Sequence, residues 1–418
     1  MLDAQGGLLI PGLHDHHVHV AASAAALASV RCGPPEVRDA MGLAAALAVP
    51  GDGWLRGIGY HDSVAGDIDR RWIDRHAADR PVRVQHRSGR LWIFNSAGLD
   101  ILLAAGGTPP PGLDRHSGRL SDEDGWLRAT LGSGPPDFAS MGHRWAKWGV
   151  TGITDMNPQN DAFAAGHFRA EQKRGALPQR VMLAGLPELA RVSLGPDISL
   201  GPVKVHLHEA HLPDHDILIA GIKSAHAQGR GVAVHCVTET ELVFTLAAFA
   251  EAGAQQGDRI EHASVASDEL INEIGALGLA VVAQPNFVAE RGDAYLADIP
   301  PDELSHLYRL RAFRDAGIVV AGGTDTPFGA ADPWAAMAAA VGRRTASGRP
   351  FGPHEALTPE EALSLFLADP SHLGTIRRVE AGVVADLCLL TQDWGGLRSD
   401  LAASQVKASL IGGVLVYG

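Results

Sequence analysis

The run His14-Asp15-His16-His17-Val18-His19 places four imidazoles and a carboxylate within six positions near the start of the chain. Side chains alternate along an extended strand, so His17 and His19 are expected to share one side with Asp15, and His14 and His16 the other. Two histidines at i and i+2 on a strand end can offer two nitrogens to one divalent ion. The segment alone leaves its register open, and a polar turn uses the same residue types. Lys204 is a second oddity, set in Val203-Lys204-Val205-His206. Only five of the 35 Lys and Arg residues are lysines (Lys147, Lys173, Lys204, Lys223 and Lys407), so a lysine inside an apolar strand needs a reason. Alternation with its valines sends the ammonium inward.

The elements that must position these groups follow from periodicity. From Gly149 onward, short β-rich runs alternate with helical patterns, the mark of repeated βα units and a parallel sheet. Strands are expected at Val150–Met156, Arg180–Leu183, Val203–His208, Val232–Cys236, Arg259–His262, Ala280–Gln284 and Ile318–Gly322, and Leu8–His19 makes eight. Eight parallel strands separated by helices predict a (β/α)8 TIM barrel. An open doubly wound sheet is the alternative, but no Gly-rich phosphate loop follows the first strand. Residues 1–23 then carry barrel strand 1 and a remnant of a β subdomain. Residues 24–140 form a large insertion after strand 1, with strand-like pieces Trp54–Ile58, Val82–His86 and Leu91–Phe94, closed by Gly106-Gly107 and Pro109-Pro110-Pro111. An insertion of that length at the catalytic end of a barrel shapes the substrate site. Residues 141–375 supply strands 2–8. Residues 376–418 make a small, reduced C-terminal β subdomain with strands Ala385–Leu390 and Ser409–Val416, after a helix at Pro359–Leu367.

The motif Pro11-Gly12-Leu13-His14-Asp15-His16-His17-Val18-His19 resembles the Pro-Gly-x-x-Asp-x-His-x-His opening of the amidohydrolase superfamily. That resemblance fixes the register and implies His17 and His19 as metal ligands. It also implies Lys204 on the fourth strand, His235 and His262 ending the fifth and sixth, and Asp325 after the eighth in Gly-Gly-Thr-Asp-Thr-Pro. All stand at C-terminal strand ends, where barrel enzymes do their chemistry. Gly53-Trp54-Leu55-Arg56-Gly57, the stretch Trp92–Leu99 and Asp386-Leu387 are similar to the amidohydrolase family 3 subgroup of N-acyl and N-formyl amide hydrolases. The likeness covers nearly the whole chain.

Elementary chemistry agrees with those roles. An ammonium buried among cation-binding imidazoles is repelled; a buried lysine loses its proton more readily, and the neutral amine can add carbon dioxide to become an anionic carbamate. Such a group bridges two metal ions, which arginine cannot do. The alternative is an unmodified Lys204 paired with a carboxylate. A lone strand-end histidine such as His235 or His262 is often a hydrogen-bonded core group, but His17 and His19 in register favour a ligand. Glu261 beside His262 competes for a polar role. Asp325 suits proton transfer: a metal lowers the pKa of its bound water, and a carboxylate in reach takes the proton and returns it to the leaving nitrogen. Asp155 and Asp332 are rivals by composition, although Asp332-Pro333 reads as a helix entry.

Three departures from the subgroup bear on substrate. Ser88-Gly89-Arg90 stands where Asp-Gly-His is usual. The loop after strand four reads His208-Glu209-Ala210-His211 rather than Asp-Gly-Ser; with His206 and His215 it offers an additional ligand, an oxyanion donor, or only a solvated polar loop. Only ten residues precede Pro11, so the β subdomain is expected to be reduced, with an edge that another subunit could cover. Arg56 and Arg90 are candidates to hold a substrate carboxylate, with His208 and Trp92 as further substrate-binding candidates; surface placement and core packing explain the same residues.

Bulk properties exclude some classes. The net charge of −13 and pI near 5.8 argue against a nucleic-acid partner. No apolar run reaches bilayer length. Three scattered cysteines (Cys32, Cys236, Cys388) and no basic-flanked leader suit a cytoplasmic protein, and an uncovered sheet edge would suit a homo-oligomer. The expected activity is hydrolysis of a small-molecule amide C–N bond by metal-bound hydroxide, with Asp325 as base and acid and one or two divalent ions. Zinc is the default, though manganese or iron fit the same ligands. A deaminase or cyclic-amide hydrolase with one metal, and an inactive barrel acting as a binding protein, remain the alternatives.

Overall fold

The computed structural model describes every residue except Met1, Leu2, Pro35, Ala78, Gly106 and Ser133, so the turn expected at Gly106 lies outside the described residues. The chain divides into two compact units, Met1–Ser23 with Asp137–Gly418, and Ala24–Pro136.

In the first unit the alternating pattern becomes an eight-stranded parallel sheet. Its strands, numbered β1 to β8, are Leu13–Val18, Val150–Asp155, Arg180–Gly185, Ile198–His206, Val232–Cys236, Arg259–His262, Ala280–Ala283 and Val320–Gly322. Neighbours pair in sequence order, and β8 returns to β1, which makes the (β/α)8 barrel. Outward residues such as Ile153, Val181, Val234 and Ile260 are buried, as are Leu246, Phe249, Ile274 and Phe366 of the surrounding helices. Each such side chain contributes roughly 1.5–3 kcal/mol on burial. Helix starts are built from side chains. Thr238 with Glu241 and Thr358 with Glu361 form capping boxes at Glu239–Ala252 and Pro359–Leu367.

Two expected strands are each two strands, and β4, expected at Val203–His208, runs Ile198–His206. The run Leu8–His19 is two strands, because Leu9–Pro11 pairs with Leu387–Leu390 in a separate antiparallel sheet before β1 begins. The backbone hands over at Gly12, whose N–H goes to Asp386 while that of Leu13 goes to Gly149. The single strand expected at Ser409–Val416 is a hairpin, Val406–Ile411 and Val414–Tyr417. Gly412 and Gly413 turn it, with φ of 57° and 80°, conformations that side chains disfavour. The small C-terminal sheet therefore has four strands.

The second unit has a six-stranded mixed sheet. Helices Ala40–Leu47 and Arg70–His76 contribute Leu43, Leu47 and Ile73 to one apolar cluster. Helices Ser96–Ala104 and Asp124–Leu131 contribute Leu99, Leu102 and Leu127 to another, built on Trp92, Phe94 and Leu120.

Candidate active site

The seam between β1 and β8 assembles the site. Asp325 N–H donates to His17 O (2.8 Å), and His19 N–H to Thr326 O (2.9 Å). The Asp15 carboxylate accepts from Thr324 N–H (3.0 Å) and Thr324 Oγ1 (2.6 Å), and from His17 N–H (3.2 Å). Burial raises the Asp15 pKa to about 7 against the pull of the Thr324 bonds. The strands approach so closely that a Cβ on Gly323 would stand 2.5 Å from His17 Cβ. Strict alternation fails here: the register of β1 against β2 shifts between Asp15 and Val18. Asp15 therefore turns to β8 instead of sharing a side with the His17 and His19 rings. His14 bonds Thr154 Oγ1 (2.9 Å), and its ring lies 4.6 Å from that of His16.

The seam brings His17 Nε2 and His19 Nε2 to 3.5 Å and 3.2 Å from Asp325 Oδ1. One ligand atom from each lies within 4.8 Å of the others, a spacing one cation can span. The cluster continues through rings: His17 to His262 is 4.8 Å between centroids, His262 to His235 is 4.5 Å, and His235 to His206 is 4.3 Å. Lys204 is buried beside the charges of Glu261 and Asp325.

Burial, with Lys204 and the neighbouring imidazoles next in weight, holds His17, His235 and His262 well below the usual histidine range. Burial likewise takes His206 down to about 4 and Lys204 to about 8. The rings are thus neutral lone-pair donors, and the 3.5 Å approach of His17 to Asp325 is not an ion pair. Asp325 Oδ1 and Lys204 Nζ have no hydrogen-bond partner. Orphaned buried polar atoms cost about 1–3 kcal/mol each, and a carboxylate oxygen without a hydrogen bond beside neutral imidazole nitrogens is a donor set that fits a divalent metal.

Two residues not assigned from sequence orient the donors. Glu261 Oε2 lies 2.5 Å from His17 Nδ1, and its other oxygen accepts from Arg259 Nε at 2.6 Å. Gln284 Oε1 lies 2.7 Å from His262 Nδ1. Both acceptors place the ring proton on Nδ1 and leave Nε2 free for a cation. Their signal in the sequence was parity: Glu261 is two positions after Arg259 on one face, and Gln284 directly follows β7. His262, Ala263 and Asp325 have φ of 74°, 46° and 55°, a left-handed backbone that costs roughly 1–3 kcal/mol per residue and clusters at functional sites.

The structure thus gathers His17, His19, Lys204, His235, His262 and Asp325, and adds His206. His208 lies outside this group; it is exposed, faces His211, and accepts a backbone N–H from Ala210. In the second unit, Trp92 is 4% exposed and donates to Asp124, so it packs a core instead of lining an open wall. Arg56 lies over the Trp92 ring and bonds Ser29 and Gln85. Arg90 forms a two-pronged pair with Asp122. Asp155 binds the backbone of Val20 and the Asn160 amide, and Asp332 caps helix Pro333–Gly342. All three cysteines are free and buried. Among the described residues no helix is long and apolar enough to cross a membrane.

A parallel eight-stranded barrel with neutral imidazoles and a free carboxylate at its C-terminal strand ends defines the class of metal-dependent barrel hydrolases. The model of the amidohydrolase family matches residues 1–417, and the chain belongs to that family. Among curated relatives, N-substituted formamide deformylase of Arthrobacter pascens is 26% identical, covering 100% of this chain and 90% of the relative. The putative amidohydrolase YtcJ of Bacillus subtilis (strain 168) is 24% identical with the same coverage. The barrel is also similar to solved structures of uncharacterized metal-dependent hydrolases. That from Pyrococcus horikoshii OT3 has a TM-score of 0.78 and 19% identity, covering 97% of this chain and 89% of that one. That from Pyrococcus furiosus has 0.74 and 22%, covering 94% and 89%.

Proposed function

We propose that this hydrolase cleaves the amide C–N bond of a small N-acyl or N-formyl amine, using one or two divalent ions, zinc by default. The observation that carries the reading is the convergence of His17, held neutral and oriented by Glu261, and of His19 on an unpartnered Asp325 Oδ1 at 3.5 and 3.2 Å. His17, His19, His235, His262 and Asp325 would hold the metal. Lys204, buried and unpartnered among them, would join as a carbamate formed when its neutral amine adds carbon dioxide and releases a proton. A divalent ion in this cluster supplies acidity to a water and polarises a carbonyl. Asp325 accepts a proton from the attacking water at the carboxylate oxygen that does not hold the metal and delivers it to the leaving nitrogen. Glu261 and Gln284 keep the histidine nitrogens turned inward. His206, solvent-exposed although stacked on His235, is placed to donate its ring N–H to the substrate. The name of the Arthrobacter relative supports an N-substituted formamide as the first substrate to try.

Elemental analysis of protein purified without chelator, carbon-13 NMR after labelled bicarbonate, and formate release from N-alkylformamides test the reading together. About two metals, a carbamate resonance and formate release are expected. One metal without the resonance, and turnover of an aminated heterocycle instead, would favour deamination; no metal after reconstitution would sink the catalytic reading.

A further inference from the structure

The barrel unit has a second concavity at the opposite ends of its strands. Its wall includes His14, Thr151, Arg180 and Ile198 from the starts of β1 to β4, together with the returning segment 369–387. The cavity is about 470 Å3, within the range of small-molecule sites. Part of its lining is apolar, from Val181, Met182, Val384 and Leu387.

Three arginines and three aspartates share this wall, so formal charge balances, but hydrogen-bonding capacity does not. Arg180 binds Asp386 Oδ2 through Nε and Asp197 Oδ1 through Nη1, each at 2.6 Å. Asp386 Oδ1 also accepts from Gly412 N–H (2.7 Å). Asp369 accepts from the N–H groups of Ser371 (2.8 Å) and His372 (3.2 Å). All three carboxylates are therefore engaged. Arg377 is different. Its Nε and Nη2 donate to the carbonyls of Ala368 (3.3 Å) and Phe366 (3.2 Å), which fixes the guanidinium plane and leaves Nη1 without a hydrogen bond. Neither Arg377 nor Arg378 has a carboxylate within ion-pair distance among the described residues. Elsewhere in this unit some arginines pair with carboxylates, Arg259 with Glu261, Arg309 with Glu355 and Arg311 with Glu361, while buried Arg230 and Arg343 are held by backbone carbonyls as Arg377 is. Arg377 differs from Arg230 and Arg343 in lining an open cavity beside a second arginine without a carboxylate partner, Arg378, and a guanidinium matches a carboxylate in shape.

We propose that this cavity binds a small organic carboxylate, with its anionic end on Arg377 and Arg378 and its apolar body against Val181, Met182 and Leu387. The site is separate from the histidine cluster and does not depend on the activity proposed for it.

Calorimetric titration of the metal-loaded, full-length chain with phenylacetate, and with 2-phenylethanol as the neutral counterpart, tests the proposal. Saturable binding of phenylacetate is expected, with none of the alcohol at the same concentrations. Arg378→Ala should weaken it about tenfold or more, the scale of one lost charge-assisted contact. Arg377→Gln should weaken it further. Because Arg377 also holds two carbonyls, that variant can fail to fold; the exposed Arg378 then carries the test alone. No binding, equal binding of the alcohol, or unchanged affinity in Arg378→Ala overturns the proposal. So does binding that disappears on chelation, which assigns the carboxylate to the metal cluster, or displacement by inorganic phosphate at equal affinity, which shows a site that reads charge alone.

Discussion

The histidine cluster and the Arg309–Glu355–Arg311–Glu361 network both place ionisable groups in low-dielectric surroundings, and they do so in opposite ways. In the network every charge is answered. Glu355, 2% exposed, accepts from Arg309 Nε and from the N–H groups of Arg311 and Ala312. Arg311 reaches both oxygens of Glu361. In the cluster, Asp325 Oδ1 and Lys204 Nζ are buried yet orphaned, and the His17 and His262 imidazoles are held neutral. Paired charges fix a loop against a helix, whereas unpaired ones mark where something must bind. Buried charge alone does not separate the two, and the completeness of its partners does.

The strongest way to break the comparison is Asp325→Asn. If Asp325 moves protons, kcat/KM on the formamide found by screening should fall roughly 10²–10⁴-fold. The thermal midpoint of the metal-free protein should hold, because no hydrogen bond to its Oδ1 is lost. A large drop in midpoint with little change in turnover would place Asp325 with the structural network. Glu355→Ala should behave in the reverse sense. Removing Glu355 leaves Arg309 Nε and two backbone N–H groups without their acceptor, while Arg309 keeps Asp268, at a cost of about 1–3 kcal/mol per buried group in denaturant unfolding. Turnover per folded molecule should be unchanged.

Glu261→Gln sharpens the contrast at intermediate size. The amide keeps the volume but not the charge that orients His17, so metal affinity measured by chelator competition should fall about 10–100-fold. Unchanged affinity would reduce Glu261 to a core ion pair with Arg259. The smallest effect concerns pH. Glu361 is held down to about 2 chiefly by its Arg311 bonds. A depressed carboxylate pKa stabilises the fold above the unfolded value and loses that contribution as pH falls towards the folded one. The stability gap between wild type and Glu361→Gln should therefore be full at neutral pH, shrink below about pH 5 and vanish near 2. The pair is partly exposed, so the gap should stay under about 1 kcal/mol. A gap independent of pH would remove the ion pair from the account.

Much of this architecture was legible because it is periodic. Alternating apolar runs marked the barrel strands, and Pro359-Glu360-Glu361 marked a helix start that is present as read. What escaped depends on contacts distant in sequence. The pairing of Glu261 with His17 joins residues 244 positions apart, so parity with Arg259 gives the face of Glu261 but not its partner. The register shift after Asp15 is a property of β1 against β2, so alternation alone misassigned the face of that carboxylate. Gly412-Gly413 was a readable hairpin signal, masked because the flanking apolar residues also fit one longer strand. Trp92 and Arg56 look alike as pocket or packing until their neighbours are known, and those neighbours lie within the second unit.

The β1–β8 seam also sets an order in time. Asp15 and Thr324, which fasten it, are 309 positions apart. At ribosomal speeds of about 5–20 residues per second, the histidines of β1 precede their carboxylate partner by roughly 15–60 s. For that interval the nascent chain carries half a chelate and an unclosed sheet. We expect stalled chains ending before β8 to release metal to a weak chelator that the finished protein resists. Maturation of the site then waits for β8, and the barrel cannot be completed without bringing the proposed ligands together.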